Sequence, residues 1–239
     1  MKRCAAFLFL ALLAPLAFAQ DSITVTSDPR DLARPVSALL NQLRKRERIS
    51  VTYEDPRYAK RDDMGRKAVS FTYSAEELHG PEGPEIVVAR MLREHGASGG
   101  LTFTVVREGS RLHVLPSESL DEAGRRIRQD SIMDTRITIP AARRDGGELL
   151  QAICDEIKKQ TGYEIGVGPS APGNNLARYI SLEGVDNKTA RAALEDLLDR
   201  ACPPGSFVWD LYFDPADGGY GLNFNYIGLA GPVDKHKQP

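Results

Sequence analysis

Residues 136–167 read RITIPAARRDGGELLQAICDEIKKQTGYEIGV, and the hydrophobic period changes twice inside them. Arg136-Ile137-Thr138-Ile139 alternates polar and apolar residues, as a half-buried strand does. Leu149, Leu150, Ile153 and Ile157 then recur at helical spacing, and Gly162 stands where a helix can end in a left-handed turn. Tyr163, Ile165 and Val167 return to alternation. Downstream, Ile180 and Leu182 alternate after a loop rich in Pro, Gly and Asn. Asp186 or Asn187 can cap a helix bearing Ala190, Ala193, Leu194, Leu197 and Leu198 on one face. Pro203-Pro204-Gly205 stops it. Phe207, Trp209, Leu211 and Phe213 share a strand face, Pro215 to Gly219 turns the chain, and Leu222, Phe224 and Tyr226 complete the sheet. The predicted order is βαββαββ.

The preceding hundred residues carry the same order. Ile23-Thr24-Val25 is a short strand, and Pro35 opens a helix with Val36, Leu39, Leu40 and Leu43. Ile49 to Tyr53 and Val69 to Tyr73 alternate. Pro84-Glu85 opens a second helix with Ile86, Val87, Val88, Met91 and Leu92, closed by the glycines at 96–100. Leu101 to Val105 and Leu112 to Leu115 flank the hairpin signal Glu108-Gly109-Ser110. Two spacings recur: Leu43 precedes Ile49, and Ile157 precedes Tyr163, by six residues; Leu92 precedes Leu101, and Leu198 precedes Phe207, by nine. One apolar stripe per helix and one apolar face per strand predict an α+β fold, two helices lying on one side of each small sheet. The other face, with Ser50, Thr52, Thr102, Thr104, Asn223 and Asn225, is expected to be wet. The expected domains are 22–116 and 132–228, joined by a solvated charged linker at 117–131 and followed by a disordered tail at 229–239.

Met1-Lys2-Arg3, the apolar run Ala5 to Phe18 and the small-residue exit Ala17-Phe18-Ala19 read as a signal peptide cleaved after Ala19. The run is shorter than the ~20 residues of a membrane span, and no later segment approaches that length. The expected product is periplasmic or secreted, with no membrane span in the mature chain. With 41% hydrophobic and 27% charged residues, the composition excludes a disordered or fibrous protein. A net charge of −2 leaves no basic excess for nucleic-acid phosphates.

Thr138-Ile139-Pro140-Ala141-Ala142, Leu149-Leu150-xx-Ile153, Gln160-Thr161-Gly162-Tyr163, the run from Ile180 to Val185 and Ala192-Ala193-Leu194-xx-Leu197-Leu198 together resemble the short N-terminal (STN) domain shared by secretins and TonB-dependent transducers. The first half resembles it less closely, through Val36-xx-Leu39-Leu40, Ile49-Ser50-Val51 and a second helix. Arg48 stands where that family usually has glycine, and a charged insertion from Arg57 to Lys67 widens the middle loop. The resemblance implies a periplasmic module that docks onto other proteins and has no catalytic residues to carry over. In that family the module usually precedes an outer-membrane barrel or a secretin ring. The expectation here is a free-standing tandem pair.

The chemical motifs point the same way. His79, His95, His113 and His236 show no metalloprotease spacing. There is no nucleophile elbow and no phosphate-binding loop, and Gly166-Val167-Gly168 runs into Pro169 rather than a helix. Gly80-Pro81-Glu82-Gly83 matches the loop of RNA-binding KH domains in spacing only, and Glu82 would repel a phosphate. Asp62-Asp63 and Glu76-Glu77 read as solvated acids. The basic run Arg44-Lys45-Arg46-Glu47-Arg48 complements a helix dipole and could also meet an acidic partner. The expected function is therefore a non-enzymatic interaction or scaffold module for envelope proteins, without cofactor or metal. The alternative is a small-ligand or glycan binder using the C-terminal aromatics, with Tyr212 and Tyr220 as its partner surface. Cys154 and Cys202 could form a structural disulfide in an oxidising compartment, or remain separate buried thiols.

Overall fold

The computed structural model describes residues 22–26, 34–60, 69–81 and 83–228. The expected signal segment, the tail and most of the charged insertion lie outside the described residues. Over the rest the fold is mixed α and β. The N-terminal half runs β1 (Ser22–Thr26), α1 (Pro35–Glu47), β2 (Val51–Glu54), β3 (Ser70–Ser74), α2 (Ala75–His79), α3 (Gly83–Ala97), β4 (Phe103–Glu108) and β5 (Arg111–Pro116). A hairpin follows, β6 (Glu118–Leu120) and β7 (Arg126–Arg128), and then a 3-10 turn at Ile132–Asp134. The C-terminal half runs β8 (Arg136–Ile139), β9 (Arg144–Asp145), α4 (Gly146–Thr161), β10 (Ile165–Val167), α5 (Gly173–Arg178), β11 (Ile180–Ser181), β12 (Val185–Thr189), α6 (Ala190–Ala201), β13 (Phe207–Asp214) and β14 (Gly219–Tyr226).

Strand pairing follows one scheme in both halves. β1 pairs antiparallel with β3, and β8 with β12. β2 runs parallel to β5, which is antiparallel to β4; β10 runs parallel to β14, which is antiparallel to β13. The two three-stranded sets do not form separate sheets. β13 pairs in parallel with β2, giving one six-stranded sheet in the order β10-β14-β13-β2-β5-β4.

The helices of the two halves cover opposite faces of that sheet. Val51, Tyr53, Leu112 and Val114 pack with α1 and α3, whereas Trp209, Leu211, Phe213, Leu222 and Phe224 pack with α4 and α6. At the joint Asp210 lies beside Tyr53 and Leu211 beside Glu54. Neighbours in register point to the same side, so Asp210 faces α1 and Glu54 faces the C-terminal core. Each half therefore lends its helices to the other half's bare face. This overturns the expectation of a wet face at the centre: Thr52 is fully buried, and only the outer positions such as Thr104 stay exposed.

Local chemistry accounts for the helices. Asp145 and Glu148 form a capping box at the start of α4, and Gly162 ends it at φ 80°. Ser74 and Glu77 do the same for α2, an S-x-x-E signal that periodicity alone passes over. The cap of α6 is Thr189, not Asp186 or Asn187. Those two residues lie in β12 beside a register shift, with Asn187 at φ 47°. The strand read at Ile180 and Leu182 is only the two-residue β11, paired with β9, and Leu182 is exposed. The partner of β8 comes one element later. The stretch read as a solvated linker forms the β6–β7 hairpin and buries Ser119, Gln129 and Ser131 against the joint.

Candidate docking surfaces

The seam between the halves takes up most of the buried charge. Arg44 on α1 meets Asp210 on β13 in a bidentate pair, with one contact at 2.7 Å, and its Nε donates to the Val51 carbonyl at 2.7 Å. Tyr212 Oη and Asn225 Nδ2 donate to the same carboxylate. Arg34 Nε donates to Asp55 at 2.6 Å and its Nη2 to the Phe213 carbonyl at 2.9 Å, while the Phe213 amide donates to Asp55. On the other face Arg111 of β5 pairs with Glu195 and Asp199 of α6, and Arg191 of α6 pairs with Glu108 and Asp134. Glu195 also accepts from Trp209 Nε1 at 2.7 Å, and Glu54 accepts from the Ser131 hydroxyl and the Ile132 amide.

Burial perturbs these groups. It pushes Glu54 and Glu195 up to about 7 and Asp55 up to about 6, and lowers His113 to about 3. Perturbed groups often mark active sites. Here the carboxyls are walled between packed elements and bonded to residues at the seam, whereas His113 bonds to Thr52 within its own half. Among the described residues no group of three or more His, Cys, Asp or Glu is placed to hold a metal ion.

The residues singled out as a partner surface lie inside this structure. Tyr220 is buried, edge-on to Phe213 and Tyr163. Tyr212 is half-buried, with its hydroxyl held by Ser37 and Asp210. Alternation places both on the sheet, but Tyr220 turns into the C-terminal core and Tyr212 is met by α1 of the other half. Cys154 and Cys202 are separate buried thiols rather than a disulfide. Cys154 belongs to the C-terminal core, whereas Cys202 stands at the end of α6 in extended backbone outside that cluster. Arg57 and Tyr58, at the start of the insertion, reach the other half: Arg57 donates to Gln129 and lies over the Tyr163 ring, and Tyr58 packs edge-on to Phe213.

Three surfaces are left uncovered by the described residues. The first is the outer edge of β4 with the flank of α3 beside it. Two adjoining cavities of about 580 and about 530 Å³ run along it, floored by Ile86, Ala89, Leu92, Phe103 and Val105. Arg107, bonded to Glu85 at 2.6 Å, and Arg93 stand at its rim. The second is the outer edge of β10. The Tyr220 amide donates to the Glu164 carbonyl and the Gly168 amide to the Leu222 carbonyl. Alternation in a parallel pair then turns the peptide groups of Ile165 and Val167 outward. The third is a cavity of about 580 Å³ at the seam, lined by Asn41, Lys45, Arg48, Asn225 and Tyr226. The basic run is divided by the fold: Arg44 is buried, Arg46 pairs with Glu47, and Lys45 and Arg48 face this cavity.

Among the described residues no helix is long and apolar enough to cross a membrane. In comparisons with family models, with curated proteins and with solved structures, nothing matches this chain.

Proposed function

We propose that the chain is an exported, non-enzymatic docking module of the bacterial cell envelope, a tandem of two related βαββαββ units like the short N-terminal domains of secretins and TonB-dependent transducers. The observation that carries this reading is that β4 and β10, at the two ends of one sheet, have no outer strand partner among the described residues. Unpaired edges accept an added strand, whose main-chain bonds supply affinity while neighbouring pockets supply selectivity. The buried acids support the same reading, since Glu54, Asp55, Glu195 and Asp210 find their partners at the seam rather than in a cleft. Exposed Thr104 on β4 is the place to test it. A photo-crosslinking side chain there should give recurrent adducts with envelope proteins in living cells, and the same group at exposed Gln151 on α4 should not. Equal adducts at both positions, or none at Thr104, would remove the reading.

The seam cavity favours a second reading, an anionic saccharide held by Lys45 and Arg48 against the exposed ring of Tyr226. Calorimetric titration with acidic glycan fragments would show binding that Tyr226→Ala abolishes. Heat changes unaffected by that substitution would reject it.

A further inference from the structure

The joint between the halves is a worked example of how the open surface on α3 and β4 can be filled. The recurring spacing that aligns Leu92 with Leu198 sets Glu85, Ala89 and Arg93 of α3 opposite Arg191, Glu195 and Asp199 of α6. Those three α6 residues are the ones that grip the other half. β4 corresponds to β13 in the same way, and the strand seated beside β13 is β2. The counterpart of β2 is β10: the Leu112 amide donates to the Ser50 carbonyl as the Tyr220 amide does to that of Glu164. The molecule therefore joins a β4-type edge to a β10-type edge once, internally, and leaves one edge of each type open at its ends.

We propose that the open ends join each other between molecules: β10 of one copy pairs in parallel with β4 of the next, and the bare face of β10 and β14 covers the α3 flank. This rests on the tandem reading above. Three observations single out a second copy as the occupant. Large apolar side chains are exposed on both ends, Ile86 at 42% on α3 and Val167 at 38% on β10. The internal joint is ionic where it matches Glu195 with Arg111. At the open ends both charges are absent together, with Ala89 in place of Glu195 and Gly219 in place of Arg111. Finally, Gly166 and Gly221 stand where the joint has Thr52 and His113, so the centre of the face that would descend on the α3 groove is flat, with Glu164 at its end paired with Lys158. The groove has alanine where the joint has Glu195, and the facing sheet has glycine where the joint has Arg111. Such a contact is heterologous, so it repeats until a ring closes or a filament grows.

Two surface substitutions test it on the purified full-length chain. Ala89→Glu restores a carboxylate facing a surface without arginine. Val167→Pro removes an outward amide and leaves the β10–β14 bonds intact, the edge position where proline is tolerated. In sedimentation velocity from micromolar to submillimolar concentration, the unmodified chain should form species beyond the dimer, and each variant alone should stay monomeric. An equimolar mixture should give a dimer and nothing larger, because each variant retains one intact end. Circular dichroism checks the fold of both, and Ile86→Glu and Gly166→Lys serve the same two arms if either unfolds. A monomeric unmodified chain, a variant that still assembles alone, or a mixture that stays monomeric would overturn the inference. A monomeric chain that still cross-links other envelope proteins leaves the docking reading standing. Self-assembly with adducts only to itself removes docking onto other proteins and keeps the inference.

Discussion

Arg44 and Asp210 lie 166 residues apart in sequence and meet as a buried, bidentate ion pair, with side-chain exposures of 2% and 0%. The pair ties α1 of one half to β13 of the other, beside the only strand pairing that joins the halves among the described residues. Two buried charges repay their desolvation only while both are present.

Asp210→Ala should therefore cost about 3–5 kcal/mol, because it leaves the Arg44 guanidinium buried without its counter-ion. The double change Arg44→Met with Asp210→Leu should lose less than either single change. Urea unfolding of the three variants measures this, and additive losses would show that the two residues are not coupled.

Stability should rise as pH falls from 8 to 6.5. Glu54 and Glu195 titrate near 7 and Asp55 near 6 in the fold, all raised by burial. A carboxyl whose folded value is raised binds its proton more readily folded than unfolded, so its contribution grows as pH falls through the folded value. Below 6.5 His113 opposes the gain, since burial lowers it to about 3 and the unfolded chain takes up the proton first. Glu54→Gln should flatten the rise between pH 8 and 6.5 by about 0.8 kcal/mol. A urea midpoint in the parent protein that falls over this range would contradict the assignment.

Neither thiol should react in the folded protein. Cys154 is buried and its thiol pushed up to about 12 by desolvation, and Cys202 is raised in the same direction by burial and nearby Asp199. A thiolate is the reactive species, so both need unfolding before they are modified. On the chain lacking residues 1–19, and with them Cys4, Ellman's reagent should report two thiols at the rate of global unfolding. Prompt labelling in native buffer would show an open site, and absence of labelling in denaturant would show a disulfide.

Trp209 should report on the seam rather than on a ligand. It is fully buried and donates to Glu195, which also meets Arg111 of the other half. Its emission should be blue-shifted and unchanged by saccharides. Glu195→Ala should shift it to the red and destabilise the protein by about 1–3 kcal/mol through the unpaired donor. A saccharide-induced change in the unmodified protein would place a ligand next to the seam.

The helices α1, α3, α4 and α6 and most of the long strands are legible in the sequence. Each depends on residues close in the chain: the stripe at Leu149, Leu150, Ile153 and Ile157, the alternation from Phe207 to Phe213, the glycine at 162. Apolar burial imposes these periods, and a strand or helix advertises its buried face locally. The mixed α and β character follows from them.

What covers the other face is a long-range matter. Ser50, Thr52, Asn223 and Asn225 have the composition of a solvated surface, and alternation gives no sign that Thr52 is fully buried against His113 or that Asn225 bonds to Asp210. Tyr212 and Tyr220 looked available for the same reason. Tyr220 packs against Tyr163 and Phe213 of its own half, whereas Tyr212 is covered where β13 pairs with β2 and Ser37 of α1 takes its hydroxyl, a contact between residues far apart in the chain. The arginines at 34, 44, 111 and 191 likewise read as surface charge until the fold brings Asp55, Asp210, Glu195 and Glu108 to them. Hydrophobic period is a property of neighbours along the chain. The pairing of buried charges and the sharing of one sheet are properties of distance in space, and these decided which strands stand at the two ends of the sheet.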